Sequence, residues 1–267
     1  MSRPRVLITN DDGIAAPGLR WLARAAADNG LDVVVAAPAE EASGTGAALS
    51  AYTADGRVMI EPRELADLSG IPAYGVAASP SYIVVLAALS SFGAPPDLVL
   101  SGINRGANAG RAVLASGTVG AAFTAAGYDY PAMAVSLDVL SPTSAATGGN
   151  ALAVLDETDD EARNWRTAAD FVRKLLPGLS DLPVGAILNL NVPDRPPEEV
   201  RGLRQATLAK FGQVQMAIAE TGHDFIRTSI EESRTLADEG TDLAWLTEGY
   251  ATVTAIHPVH EVADFTL

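Results

Sequence analysis

The octapeptide Val6-Leu7-Ile8-Thr9-Asn10-Asp11-Asp12-Gly13 constrains this chain more than any other stretch. A short apolar run that stops abruptly at turn formers reads as a buried parallel strand. The pattern behind it, Leu19, Leu22, Ala23 and Ala26 on one helical face after Pro17, makes the stretch the first half of a βα unit. Asn29-Gly30 is the expected stop of that helix. Ligands of such sheets bind at the carboxyl ends of the strands, and Asn10, Asp11 and Asp12 fall there. Two adjacent carboxylates at a crowded strand end repel each other, so keeping both ionised requires a compensating cation, most simply a hard divalent metal with oxygen ligands. The same residues also suit an ordinary turn with a helix cap. The octapeptide alone does not decide between the two.

The βα alternation continues downstream. Asp32 to Ala37, with its β-branched run, reads as a second strand covered on both faces. The loop from Pro38 to Ser50 brings Ser43-Gly44-Thr45-Gly46 to the same sheet edge as Asp11. Val58 to Ile60 and Tyr74 to Val76 read as short strands, Ser79-Pro80 starts a helix that runs through Leu89, and Asp97 to Leu100 is the next strand. A glycine-rich segment, Ser101 to Gly110, follows. Ser116-Gly117-Thr118 then opens another helix, offering N–H groups and hydroxyls to an anion, and Pro131 to Leu137 is a strand. Arg105 and Arg111 flank the glycine loop, where they either clamp a phosphate or pair with surplus carboxylates.

From Asp138 the pattern loosens. Ser141 to Asn150 and the acidic Asp156 to Glu161 predict a surface loop or insert. Beyond it we expect a helix from Asn164 to Leu176, strands at Ala186 to Val192 and Val200 to Leu208, a short helix at Leu243 to Leu246, and a strand at Ala251 to Ile256. Lys210 to Asp238 reads as an arm that needs a partner surface. The expected organisation is a core over 1–137, a flexible loop over 138–163, and a C-terminal part over 164–267 that completes the sheet, together one domain.

Composition removes several function classes. Without cysteine there is no disulfide framework, thiolate zinc site or cysteine nucleophile. A formal net charge of −15 and the lack of any basic run argue against a nucleic-acid polymer as partner. The apolar run Tyr82 to Leu89 is far below the ~20 residues that span a bilayer, and the first residues lack a signal-peptide pattern, so no membrane role and a cytoplasmic location are expected. His223, His257 and His260 stand in no metal-ligand spacing with a carboxylate and read as structural or surface residues. Trp21, Trp165 and Trp245 read as core or interface anchors.

Three strand ends therefore carry compatible groups: Asp11 with Asp12, Ser43, and Asn104. Two carboxylates, a hydroxyl and an amide oxygen make a hard-oxygen set suited to Mg²⁺ or Mn²⁺ with open positions. A metal so held polarises a phosphoryl oxygen and acidifies a bound water, which describes hydrolysis of a phosphate ester. Ile8-Thr9-Asn10-Asp11-Asp12-Gly13 with Ala16-Pro17-Gly18, Ala37-Pro38 with Ser43-Gly44, Ser101-Gly102-Ile103-Asn104 with Gly106, Asn108 and Gly110, and Ser116-Gly117-Thr118-Val119 together resemble the SurE family of metal-dependent 5′/3′-nucleotidases. Leu190-Asn191-Val192-Pro193, Gly240-Thr241-Asp242 and Glu248-Gly249-Tyr250 extend the likeness over most of the chain.

The resemblance implies a three-layer α/β/α, Rossmann-like, mostly parallel sheet. It implies a C-terminal arm packed between the subunits of a homodimer or homotetramer. It also implies one divalent ion per subunit on Asp11, Asp12, Ser43 and Asn104, with Asp11 and Asp12 the catalytic pair and Asn10, Asn108, Ser116, Gly117 and Thr118 around the phosphate. The implied substrate is a nucleoside 5′- or 3′-monophosphate. Against the family pattern, Ala39-Glu40-Glu41 replaces an aspartate followed by polar or basic residues, and Tyr82 and Ile83 replace Asp and Cys. Arg111 and Ala112 replace acidic residues, Ala115 a tyrosine, and Thr124 a glutamate. These departures leave two alternatives open: a phosphatase specialised for a non-nucleotide biosynthetic intermediate, and a binder of metal and phosphate without turnover.

Overall fold

The computed structural model describes residues 3–140, 157–212, 214–232 and 237–259. The elements run β1 (Arg5–Thr9), α1 (Pro17–Asp28), β2 (Asp32–Pro38), β3 (Thr53–Ala54), β4 (Arg57–Val58), β5 (Ile60–Pro62), β6 (Ala73–Val76), α2 (Pro80–Ala88) and β7 (Leu98–Arg105). They continue with α3 (Gly117–Ala126), β8 (Ala132–Asp138), α4 (Trp165–Leu175), β9 (Ile187–Pro193), β10 (Leu203–Gln205), β11 (Val214–Thr221), β12 (Ile226–Glu232), α5 (Asp242–Thr247) and β13 (Ala251–Ile256).

Nine strands form one sheet in the order β10-β13-β9-β8-β7-β1-β2-β6-β5. The pairs are parallel except β9 with β13 and β5 with β6. Alternation along β1 explains how the layers are held. Val6 and Ile8 pack with Leu19, Leu22, Ala168 and Phe171 under α1 and α4, whereas Leu7 packs with Ile83, Val84, Val119 and Ala122 under α2 and α3. The sheet is thus covered on both faces, an α/β/α sandwich. Gly18 lets α1 approach β7, since a Cβ there would meet the Ile103 carbonyl oxygen at 2.1 Å. From β1 the chain moves outward through β2 to β6, then returns to β7 on the other side of β1. The crevice of a doubly wound sheet lies at such a reversal, next to the carboxyl end of β1.

Most expected elements are present, with instructive differences. The strand expected to stop at Leu100 runs to Arg105, because Ser101 pairs with Ala134 and, past an irregularity, Asn104 pairs with Ser136 and Arg105 with Leu137. Gly102 serves close packing there rather than a loop: a Cβ would lie 2.2 Å from the Val135 oxygen. Of the strand expected over Val200 to Leu208 only β10 pairs, since Thr207 leaves β13 to bridge Thr241. Gly110–Ala115, between the glycine-rich segment and the expected helix, forms a 3₁₀ helix.

The acidic stretch is only partly a loop. Residues 157–162 form a 3₁₀ helix, and the Trp165 indole N–H donates to the Asp160 carbonyl at 2.7 Å. The Ser141 to Asn150 insert lies outside the described residues, as does His260; His223 and His257 are exposed. Trp165 is core, with 1% of its surface exposed. The arm is an antiparallel hairpin of β11 and β12. Among the described residues no helix is long and apolar enough to cross a membrane.

Candidate metal and phosphate site

Asp11 and Asp12 leave the end of β1 in a turn shaped by Asn10. The Asn10 side chain accepts from the Gly13 N–H at 3.2 Å and donates to the Gly13 carbonyl at 3.0 Å, while itself fully buried. Both ends of that amide are engaged in shaping the turn. The Ala42 N–H donates to the Asp11 carbonyl at 2.7 Å, which ties the loop after β2 to the end of β1. The Arg105 N–H reaches Asp12 Oδ2 at 3.4 Å, which does the same for β7. The three strand ends anticipated from the sequence therefore meet.

Gly117 completes the junction on the helix side. A Cβ at this position would lie 2.8 Å from Asp11 Oδ2 and 2.9 Å from Thr45 Oγ1, so the missing side chain lets the start of α3, the β2 loop and the carboxylate share one space. The Thr118 hydroxyl donates to Asp11 Oδ1 in a short hydrogen bond. Ser116 caps α3, its Oγ accepting from the Val119 N–H at 3.0 Å. Ser43 is exposed and donates to Glu41 Oε1 at 2.6 Å. Asn104 is half-buried and donates through Nδ2 to the Gly106 carbonyl at 2.7 Å.

Asn108 is held more tightly than its loop position suggests. Its N–H donates to Asn191 Oδ1 at 2.8 Å, its carbonyl accepts from Asn189 Nδ2 at 2.8 Å and Asn191 Nδ2 at 3.2 Å, and its own Nδ2 donates to Ser136 Oγ at 2.9 Å. Buried Asp242 grips the far end of the glycine segment, accepting the N–H groups of Gly110, Ala209 and Leu243 at 2.7, 2.9 and 2.8 Å. Burial raises the Asp242 carboxyl above its usual range while those donors hold it down. Ser136 and Asn189 were not singled out from the sequence, and Thr45 and Asp242 stood there only within quoted segments, without a role of their own. The signal available was Asn189 and Asn191 on one face of an otherwise apolar strand.

The electrostatics of the pair fit a cation. Burial pushes the Asp11 carboxyl up, against the hydrogen bonds from Thr118 and Gly117. Asp12 is pushed up to about 8, first by burial and then by the charge of Asp11; Arg105 pulls it back and Glu41 adds to the push. Arg105 also acts on Asp160, whose carboxyl burial likewise raises. Its guanidinium thus serves the surplus carboxylates. Arg111 is exposed. The protein's own cation falls short of offsetting the paired charge, which a divalent ion would do. Among the described residues no three His, Asp or Glu side chains converge to hold a metal. An ion here would therefore rest on the two aspartates plus neutral oxygens, the kind of donor that Ser43 and Asn104 present.

Comparison with known proteins places this arrangement. The family model "Survival protein SurE" matches residues 6–215. A protein of Methanopyrus kandleri named 5′-nucleotidase SurE is 37% identical over 194 residues, 71% of this chain and 66% of that one. One of the same name from Symbiobacterium thermophilum is 35% identical over 259 residues, 94% of this chain and 91% of that one. The crystal structure of the SurE protein from Aquifex aeolicus superposes with a TM-score of 0.67 at 28% identity, covering 95% of this chain and 93% of that one. With the motifs that carry the likeness gathered at one sheet edge, this chain belongs to the SurE family.

Proposed function

We propose that this chain is a divalent-metal-dependent phosphohydrolase that removes phosphate from a nucleoside monophosphate. The observation that carries the reading is the adjacent pair of buried Asp11 and half-buried Asp12 at the carboxyl end of the central strand, both carboxyls pushed above the usual range with only partial relief from Arg105. The relatives named 5′-nucleotidase supply the substrate class.

In this reading Asp11, Asp12, Ser43 and Asn104 hold one Mg²⁺ or Mn²⁺, whose part is to polarise the phosphoryl oxygen and acidify a water. The chain does the rest. Thr118 fixes the orientation of the Asp11 carboxylate, and the Ala42 and Arg105 N–H groups hold the flanking loop and strand against the pair. The N–H groups at the start of α3 face the phosphate as a helix terminus does an anion, with Ser116 stabilising that terminus. The asparagine cluster around Asn108 fixes the glycine loop as the opposite wall. The β11–β12 hairpin is proposed as the arm joining subunits of a homodimer or homotetramer, consistent with the exposure of Phe225 and Ile226.

A screen of phosphate esters with added Mn²⁺ tests the activity. Phosphate release that disappears with a chelator and returns with metal is the expected result. Metal binding without release from any ester would reject catalysis.

A further inference from the structure

A cleft of ≈ 460 Å³ lies between the β2 loop, residues 50–52 and the turn after β6, with Glu40, Glu41, Thr45, Tyr52 and Ser79 in its wall. Hydrogen bonds build that wall. The Ser79 hydroxyl donates to the Ala48 carbonyl at 2.6 Å and accepts from the Ser50 N–H at 3.2 Å, and the Tyr52 N–H donates to the Ala77 carbonyl at 2.8 Å. The cleft adjoins the aspartate pair: Thr45 in its wall also meets the junction at Gly117 and Asp11, and the N–H of Ala42, another wall residue, donates to the Asp11 carbonyl at 2.7 Å. Among the described residues no Lys or Arg lines it. Tyr52 is 81% exposed, offering a ring face at the mouth.

Resting on the phosphohydrolase reading, we propose that this cleft receives the leaving group and that Glu40 and Glu41 exclude any leaving group carrying a second phosphate or carboxylate. A second anion would sit against two carboxylates in a partly enclosed space with no cation to meet it, so the cleft selects by repulsion. What it accepts is an uncharged, flat leaving group bearing N–H and O–H donors, such as a nucleoside whose base lies against Tyr52 and whose donors face the carboxylates. Single-phosphate nucleotides are the substrates, and bisphosphates are rejected whichever phosphate is attacked.

The test compares kcat/KM for a nucleoside 5′-monophosphate and the 3′,5′-bisphosphate of the same nucleoside, in the wild-type chain and in Glu40→Lys. Glu41 is left in place because it holds Ser43. The wild type is expected to favour the monophosphate by about tenfold. Glu40→Lys is expected to raise the bisphosphate-to-monophosphate ratio by about threefold or more, as reversing one charge at the rim of a cleft would. Reading a ratio within each protein removes any general loss of activity. Equal use of the two substrates by the wild type, or an unmoved ratio in a variant with native circular dichroism, overturns the proposal. If p-nitrophenyl phosphate is cleaved while the two nucleotides are not distinguished, the cleft assignment alone falls. If no ester at all is cleaved with Mn²⁺, the underlying reading falls and takes this one with it.

Discussion

Asp11→Asn is expected to abolish metal-dependent phosphate release, by about a thousandfold or more, while the chain stays folded. The size follows from the several kcal/mol that a correctly held metal contributes to a phosphoryl transition state, each ~1.4 kcal/mol being a factor of ten. The fold should survive because an asparagine keeps the main contacts of Asp11: its carbonyl still accepts from Ala42 and the amide oxygen from Thr118, while a backbone N–H at the start of α3 loses its acceptor where Nδ2 replaces an oxygen. Removing one of two adjacent carboxylates also relieves the repulsion that helps raise Asp12. The relief and the lost acceptor oppose each other, so the metal-free variant should melt within a few degrees of the wild type. Calorimetry with Mn²⁺ alongside the phosphate assay checks both halves, and release retained at a wild-type rate would reject the role of the pair.

The second large effect is a reversal of pH dependence by metal. In the metal-free protein the folded-state carboxyl of Asp12 is pushed up to about 8, and burial raises that of Asp11 above the ordinary carboxylate range. Between that ordinary range and about 8 the folded state binds more protons than the unfolded one, so stability is present at low pH and lost as pH rises through the folded value. The melting temperature of the metal-free protein should fall from pH 5 to pH 9. Asp160 and Asp242 are raised too and contribute with the same sign, so the comparison that isolates the pair is wild type against Asp11→Asn, whose slope should be shallower. Saturating Mg²⁺ or Mn²⁺ should flatten the wild-type slope, because the ion binds the deprotonated pair and displaces its protons. Differential scanning calorimetry over that range decides it. A wild-type slope unaffected by metal would contradict the account.

How much of this was readable from the sequence depends on the kind of signal each residue gives. β1, α1 and the stop at Asn29-Gly30 were legible because an apolar run and a one-sided helical pattern are local properties. The meeting of Asp11, Ala42 and Arg105 was legible because parallel strands fix which ends share an edge. The extension of β7 through Asn104 was not, since glycines at 102 and 106 look like loop until Val135 is seen packed against Gly102. Asn189 and Asn191 were obscure for the converse reason. Two polar residues in a strand have no meaning until the chain returns Asn108 between them. Thr118 is expected at the phosphate from the sequence; that its hydroxyl donates to Asp11 was not legible there, because the two residues lie far apart in the chain. The grip of Asp242 joins residues far apart in the chain, which no local pattern encodes.

The most direct test of the central claim is the position of bound Mn²⁺, located by its anomalous scattering in crystals of this protein. One peak per subunit is expected on the carboxylates of Asp11 and Asp12, with Ser43 and Asn104 as its further ligands. A peak held by other residues, or none at a concentration that supports phosphate release, would contradict it.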